Sequence, residues 1–197
     1  MIVVAIFAAA SAGNIAQAQS WNFDNDRPGA IAKGFSGELG NWVVVRSDNG
    51  NALAQTATNS SSTFNITLVT DTHARDVDLS VKMKAVAGET DQGGGIAWRA
   101  KDAKNYYLAR YNPLEDNYRL YKVVDGKRTM FLSADIAHSD GWHTLRVTMN
   151  GERIECYYDG KKSLDHTDET LRDAGMIGLW TKADAQTQFD ELTLVGN

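Results

Sequence analysis

Cysteine and proline are nearly absent: the 197 residues contain one cysteine, Cys156, and two prolines. A single cysteine cannot close an internal disulfide, so a cross-linked mini-protein is excluded and a packed core has to hold the fold. Two prolines, and seventeen glycines without a repeat, exclude collagen and proline-rich low complexity. An excess of basic residues is also missing, since 20 Lys and Arg face 25 Asp and Glu for a formal charge of −5. Surfaces that read phosphates usually gather Lys and Arg, so DNA and RNA are not expected as partners. What is present, 43% apolar and 23% charged residues, suits one globular domain long enough to bury a core.

The first ten residues, Met1 to Ala10, form an apolar run without a charge, and small residues follow up to Ala16-Gln17-Ala18. That ending fits the A-x-A pattern of signal-peptidase cleavage, although the usual basic n-region is missing. A bilayer span needs about 20 apolar residues, and Ser11, Gly13, Asn14 and Gln17 interrupt this run earlier. Residues 1–18 therefore read as a removed signal peptide, 19–197 as a single secreted or periplasmic domain, and no membrane span is expected. Cys156 alternates with Ile154 and Tyr158 on an apolar parity with no histidine nearby in sequence, which predicts a buried, unreactive thiol.

Period two dominates the rest of the chain. Val77, Leu79, Val81 and Met83 alternate with polar residues over Asp76–Lys84, and His143 to Met149 repeats the pattern, so both segments read as half-buried strands. Weaker alternation marks Trp42–Arg46, Phe64–Val69, Tyr106–Asn112, Tyr118–Val124 and Gln188–Val195. Asp125-Gly126, Asn150-Gly151 and Asp159-Gly160 sit between such runs and predict hairpin turns. Only Asp168–Ala174, with Thr167 as its cap, reads as helical. The expected fold is all-β, a two-layer antiparallel sandwich of about a dozen short strands.

Gly93-Gly94-Gly95-Ile96-Ala97-Trp98-Arg99, Asn105-Tyr106-Tyr107-Leu108-Ala109-Arg110 and Asn117-Tyr118-Arg119-Leu120-Tyr121-Lys122 form one block of motifs. Trp142 to Val147, Gly178 to Asp184 and Phe189-Asp190-Glu191-Leu192 form a second. Together they resemble the 3-keto-disaccharide hydrolase domain of the concanavalin A-like lectin/glucanase superfamily, with laminin-G-like relatives, over about residues 75–195. The resemblance implies a jelly roll that recognises carbohydrate on a concave sheet face or the loops beside it. The E-x-D-x-x-E strand of family 16 glucanases is absent, as are the R-x-E-L-R and Q-x-H motifs of alginate-type lyases. If the chain is an enzyme, the resemblance implies a glycoside hydrolase of 3-keto-glycosides or disaccharides. A non-catalytic laminin-G-like binding or adhesion module is the competing class.

Three consecutive strands bring polar tips together. If Ile96 and Trp98 face the core, Gly95, Ala97 and Arg99 face outward as a small floor beside a cation. Arg110 and Asn112 share one parity, Asn117 and Arg119 the next, and the turn between them carries Glu115. Arginine forks and amides bond hydroxyl pairs, and Tyr107 or Trp180 can stack on a sugar. The expected substrate-binding set is Arg99, Tyr107, Arg110, Asn112, Glu115, Asn117, Arg119, Trp180 and Lys182, with Glu115 as base and Arg99 or Arg110 as the catalytic cation. The bland alternatives are solvated arginines paired with acids, and core packing for Trp180. His143 reads as a satisfied core or edge histidine, and no zinc spacing occurs. No cofactor is required; a structural calcium on Asp24 and Asp190, with Asp26 nearby, is the one metal expectation, and related sandwiches hold such an ion between the chain's ends. The sequence carries no sign of oligomeric state.

Overall fold

The computed structural model describes residues 17–48 and 50–196. In chain order the strands are β1 (Gln17–Trp21), β2 (Phe35–Leu39), β3 (Trp42–Ser47), β4 (Gly50–Gln55) and β5 (Phe64–Ala74). Next come β6 (Val77–Ala87), β7 (Gly94–Asp102), β8 (Asn105–Asn112), β9 (Asn117–Val124) and β10 (Lys127–Asp135). The last five are β11 (Trp142–Asn150), β12 (Arg153–Tyr158), β13 (Lys161–Thr167), β14 (Gly175–Lys182) and β15 (Gln186–Gly196). One sheet runs β13-β12-β11-β6-β15-β4-β3, with β1 added on β15; the other runs β10-β9-β8-β7-β14-β5-β2. Every pairing is antiparallel, giving the expected two-layer sandwich.

Alternation selects the faces. Val77, Leu79, Val81 and Met83 of β6 turn inward to meet Trp98, Tyr107, Ala109, Tyr111 and Leu120 of the opposite sheet in one buried core. Trp98 stacks on Tyr107 with ring centroids 5.7 Å apart. Cys156 lies in this core, fully buried, and burial pushes its thiol pKa far above the usual range. A second cluster, Ile66, Leu68, Ala97, Tyr106, Leu108, Tyr121 and Trp180, occupies the other face of the seven-stranded sheet.

The Asp125-Gly126 and Asp159-Gly160 turns both place two successive residues at positive φ, +51° and +77° and then +45° and +77°. That is the type I′ geometry whose twist matches a two-residue hairpin. The helix expected over Asp168–Ala174 does not form: the segment is a loop between β13 and β14. The Asp168 carboxylate instead accepts from Thr170 N–H at 2.8 Å and Tyr107 O–H at 2.6 Å, a local pairing that competes with a helical turn. The leader assigned to 1–18 lies almost entirely outside the described residues; Gln17 and Ala18 belong to β1 and pair with Gly196 and Val195. Among the described residues no helix is long and apolar enough to cross a membrane.

Candidate functional site

The register of β7, β8, β9 and β14 builds a polar cluster on the outer face of the seven-stranded sheet. Arg110 stands opposite Arg119, and Asn112 opposite Asn117. On the other side Arg110 faces Gly95, which faces Trp180. Because residues two apart share a face, Arg110, Asn112, Asn117 and Arg119 project together, as their parity predicts. Arg110 is 1% exposed, so the cation sits inside the layer and requires a counterion. Its Nη2 donates to Asp91 Oδ1 at 2.6 Å.

Asp91 is the centre of this cluster, and sequence reading missed it. Besides Arg110 it accepts from Lys182 Nζ at 3.1 Å and Asn112 Nδ2 at 3.3 Å. Its loop is pinned from below, since the Asp184 carboxylate accepts the backbone N–H groups of Glu89, Thr90 and Asp91 at 2.9–3.1 Å. Nothing in the periodicity marks Asp91, which lies outside the alternating strands. The only sequence signal was its place just before Gly93-Gly94-Gly95.

Glu115 is the second carboxylate, held in a turn built by Asn112. The Asn112 Oδ1 accepts Leu114 N–H at 2.9 Å and Glu115 N–H at 3.3 Å. Three donors converge on Glu115 Oε2: Arg119 Nη1 at 2.7 Å, Asn117 Nδ2 at 3.2 Å and Arg110 Nη1 at 3.4 Å. Burial works to raise this carboxyl, but the Asn117 amide and the two guanidinium groups outweigh it and hold its pKa below the usual carboxylate value. Glu115 is therefore ionised at neutral pH, with its Oε1 free of any protein donor among the described residues.

Four expected residues are placed differently. Arg99 leaves the cluster: the ladder shifts register between Trp98 and Asp102, Arg99 adopts φ +46°, and its side chain turns away from the outer face. There Nε donates to Arg75 O at 2.6 Å, Nη1 to Leu171 O at 2.9 Å, and Nη2 to Gly151 O at 2.6 Å and Asp76 Oδ1 at 3.3 Å. A bulge reverses parity, so strict alternation misassigned it. Tyr107 faces the inner core, its hydroxyl bonded to Asp168. Gly95 is not an open floor, because an added Cβ would come within 2.0 Å of Ala109 O. Trp180 does project outward but is fully buried, its Nε1 donating to Tyr106 Oη at 3.0 Å.

The group covering Trp180 is Arg128 of β10, also unforeseen. Its guanidinium carbon lies 4.5 Å from the Tyr121 ring centroid, 5.1 Å from Phe64 and 5.5 Å from Trp180. His143, by contrast, is satisfied as expected: Nδ1 lies 2.8 Å from Asp159 Oδ2, and Nε2 lies 3.1 Å from Ser139 Oγ.

Asp24 and Asp190 line one cavity beside the β1–β15 pairing, together with Asn22, Ser47 and Glu191. Carboxylate, amide and hydroxyl oxygens are the donors a hard cation takes. Burial first, then the Glu191 and Asp24 charges, hold the Asp190 carboxyl above its usual pKa. Three carboxylates thus share the wall with a single cation, Lys82, and the oxygen-rich lining fits a metal ion. Lys82, on its wall, is committed to Glu191 at 2.6 Å. Asp26 does not join, since its Oδ1 accepts Lys33 N–H at 3.0 Å. Among the described residues no three His, Cys, Asp or Glu side chains gather as a metal site, so amide, hydroxyl or water oxygens would complete the shell.

This architecture is the β-sandwich shared by carbohydrate-binding modules and glycoside-active enzymes. The carbohydrate-binding module CBM66 from Bacillus subtilis superposes with a TM-score of 0.71 at 21% identity, over 83% of this chain and 96% of that one. The Crh5 transglycosylase gives 0.66 at 11% identity, over 93% and 86%. A putative glycosyl hydrolase from Parabacteroides distasonis gives 0.58 at 13%, over 91% and 100%. No functionally curated protein matches the sequence. The chain belongs to the 3-keto-alpha-glucoside-1,2-lyase-like domain family, whose sequence model matches residues 18–195.

Proposed function

We propose that the chain is an exported domain that binds carbohydrate on the outer face of its seven-stranded sheet and cleaves 3-keto-glycosides by elimination. The observation that carries this reading is the convergence of Arg110, Arg119, Lys182, Asn112 and Asn117 on two carboxylates, Asp91 and Glu115, in a chain of this family. A ketone at C3 acidifies the proton on C2. Glu115 Oε1 takes that proton, the electron pair passes through the enolate into a C1–C2 double bond, and the C1–O bond breaks. The aglycone leaves with its oxygen and takes a proton from water. Negative charge grows on the ketone oxygen meanwhile, and Arg119 or Lys182 at the rim stabilises it. Arg110 holds Asp91 and Glu115 in place, whereas all three guanidinium nitrogens of Arg99 are engaged elsewhere and Arg99 serves as a clamp.

A cation on Asp24 and Asp190 belongs to the same proposal as a structural element, supplying positive charge to the cavity and no step of the reaction. A non-catalytic binding module remains the second reading, favoured by one observation: Glu115, held at lowered pKa by the Asn117 amide and two arginines, is a weak base. Incubation with 4-nitrophenyl 3-keto-α-glucoside and its unoxidised parent separates the two. Nitrophenolate release from the keto compound alone, lost in Glu115→Gln, supports elimination. Binding without release leaves the module, and neither binding nor release overturns both readings.

A further inference from the structure

The outer face of the seven-stranded sheet holds more positive charge than its own carboxylates neutralise. Four cations, Arg110, Arg119, Arg128 and Lys182, stand around two acids, Asp91 and Glu115, in a chain whose overall charge is −5. Asp91 is already shared by Arg110 and Lys182, and Glu115 by Arg110 and Arg119. Arg128 is left over. Its Nη1 is buried without a hydrogen-bond partner, and so is Nε of the nearly inaccessible Arg110. Its charged neighbours are Arg110, which repels it, and Asp91, which is occupied. An unpaired donor on a buried guanidinium is costly and is retained where something else completes it.

Position adds to the charge argument. The Arg128 guanidinium lies over the faces of Tyr121, Phe64 and Trp180, which is where the apolar face of a sugar ring would stack. It reaches there from an edge strand, two residues after the Asp125-Gly126 turn, on a long side chain with rotamer freedom. We propose that the ligand of this face is an acidic sugar, a uronoside, whose carboxylate takes the Arg128 guanidinium as its partner while its ring replaces that guanidinium on Tyr121 and Trp180. The inference rests on the carbohydrate reading of the same face and names the class of sugar. Arg128 shields the aromatic floor when no ligand is present and becomes the charge-reading residue when one enters. Arg119 and Lys182, partly exposed at the rim, extend the positive field toward solvent.

Calorimetric titration of the full chain with methyl α-D-glucopyranosiduronic acid and with methyl α-D-glucopyranoside tests this, since the two differ only in a carboxylate at C6. The expected result is binding of the uronoside on the order of tenfold tighter, because a charge-assisted bond adds to the shared contacts. The advantage should shrink between about 50 mM and about 500 mM salt, where screening shortens the reach of surface charge. R128Q should lose the preference and R128K should keep part of it, which separates charge from packing. Equal affinity for the two sugars, or a full preference retained in R128Q, overturns the inference and leaves the carbohydrate reading standing. Affinity for neither overturns both.

Discussion

Arg99 leaves the cluster that alternation assigns it to, and Asp91, which alternation does not mark, stands at its centre. Counting by twos puts Arg99 beside Arg110, but one left-handed residue inserts a bulge and swings the guanidinium onto the carbonyls of Arg75, Leu171 and Gly151. A side chain so bonded ties three loops together. Arg99→Ala should destabilise the domain by about 3 kcal/mol, through lost bonds and carbonyls left unpaired. Arg99→Lys should recover little, because an ammonium cannot reproduce the planar fork. Urea denaturation reads both. Asp91 is the converse, a loop acid that carries no pattern yet binds three side chains while 1% exposed. Its replacement by Ala leaves Arg110 buried without its shortest partner and should cost about 3–5 kcal/mol, as breaking a buried pair does; loss of the cooperative transition near room temperature is the upper limit of that effect. Glu115 sets a pH signature beside it. Its pKa is lowered in the folded chain, so the stability it contributes is present above the unfolded value near 4.5 and is lost as pH falls through the folded one. Glu115→Gln should therefore lower the melting temperature at pH 7 and leave it unchanged near pH 3.

At the scale of strands, legibility follows burial. β6 and β11 were readable because each has one buried face and one polar one, and β8 and β9 because their parity carries the arginines. The edge strands β2 and β10 of the seven-stranded sheet were not. β10 and β2 are largely exposed, so the core imposes no alternation on them, and β10 is bulged between Met130 and Leu132 as well. Arg128 sits on β10, so one exposed strand concealed both an element and part of the site. The helix expected at Asp168 failed for a related reason: seven residues with a threonine cap satisfy a local rule, but a two-turn helix has little stability of its own, and the Asp168 carboxylate finds Tyr107 and Lys122 instead. The middle of the second sheet is packed at backbone distance. Gly178 of β14 leaves no room for a side chain, because its Cβ would lie 2.5 Å from Thr67 O on β5. Gly178→Ala should force the two strands apart and cost about 2–3 kcal/mol, in the range of overpacked interiors. Faster amide exchange in β5 and β14, relative to β11 and β12, would locate the damage.

Across the whole molecule, the first and last described strands meet on one sheet. β1 closes antiparallel on β15, and the loop after β1 brings Asp24 to the cavity that Asp190 lines. Asp24 Oδ1 accepts Asn51 N–H at 3.0 Å, and a Cβ on Gly50 would fall 2.2 Å from that oxygen, so the approach depends on glycine. Asp190 precedes Glu191, a residue at φ +47° where the ladder shifts register. The result is a cavity whose wall carries three carboxylates, Asp24, Asp190 and Glu191, in a protein already negative overall, with Lys82 engaged by Glu191. The sign of the linkage follows. The folded state holds the Asp190 proton more tightly than the unfolded chain does, so stability is greatest below the unfolded value of 3.8 and declines as pH rises through the raised folded value. At neutral pH the ionised Asp190 opposes folding unless a cation shares the cavity. Without metal, Asp190→Asn should raise the melting temperature at pH 7 by about 2 °C and lose the advantage near pH 3. Millimolar calcium should raise the wild-type melting temperature, reversed by a chelator, and have little effect on Asp190→Asn. If calcium leaves both proteins unmoved while the pH-dependent gain of the variant persists, the cavity is a site of charge repulsion, and β1 is held on β15 by their ladder without help from an ion.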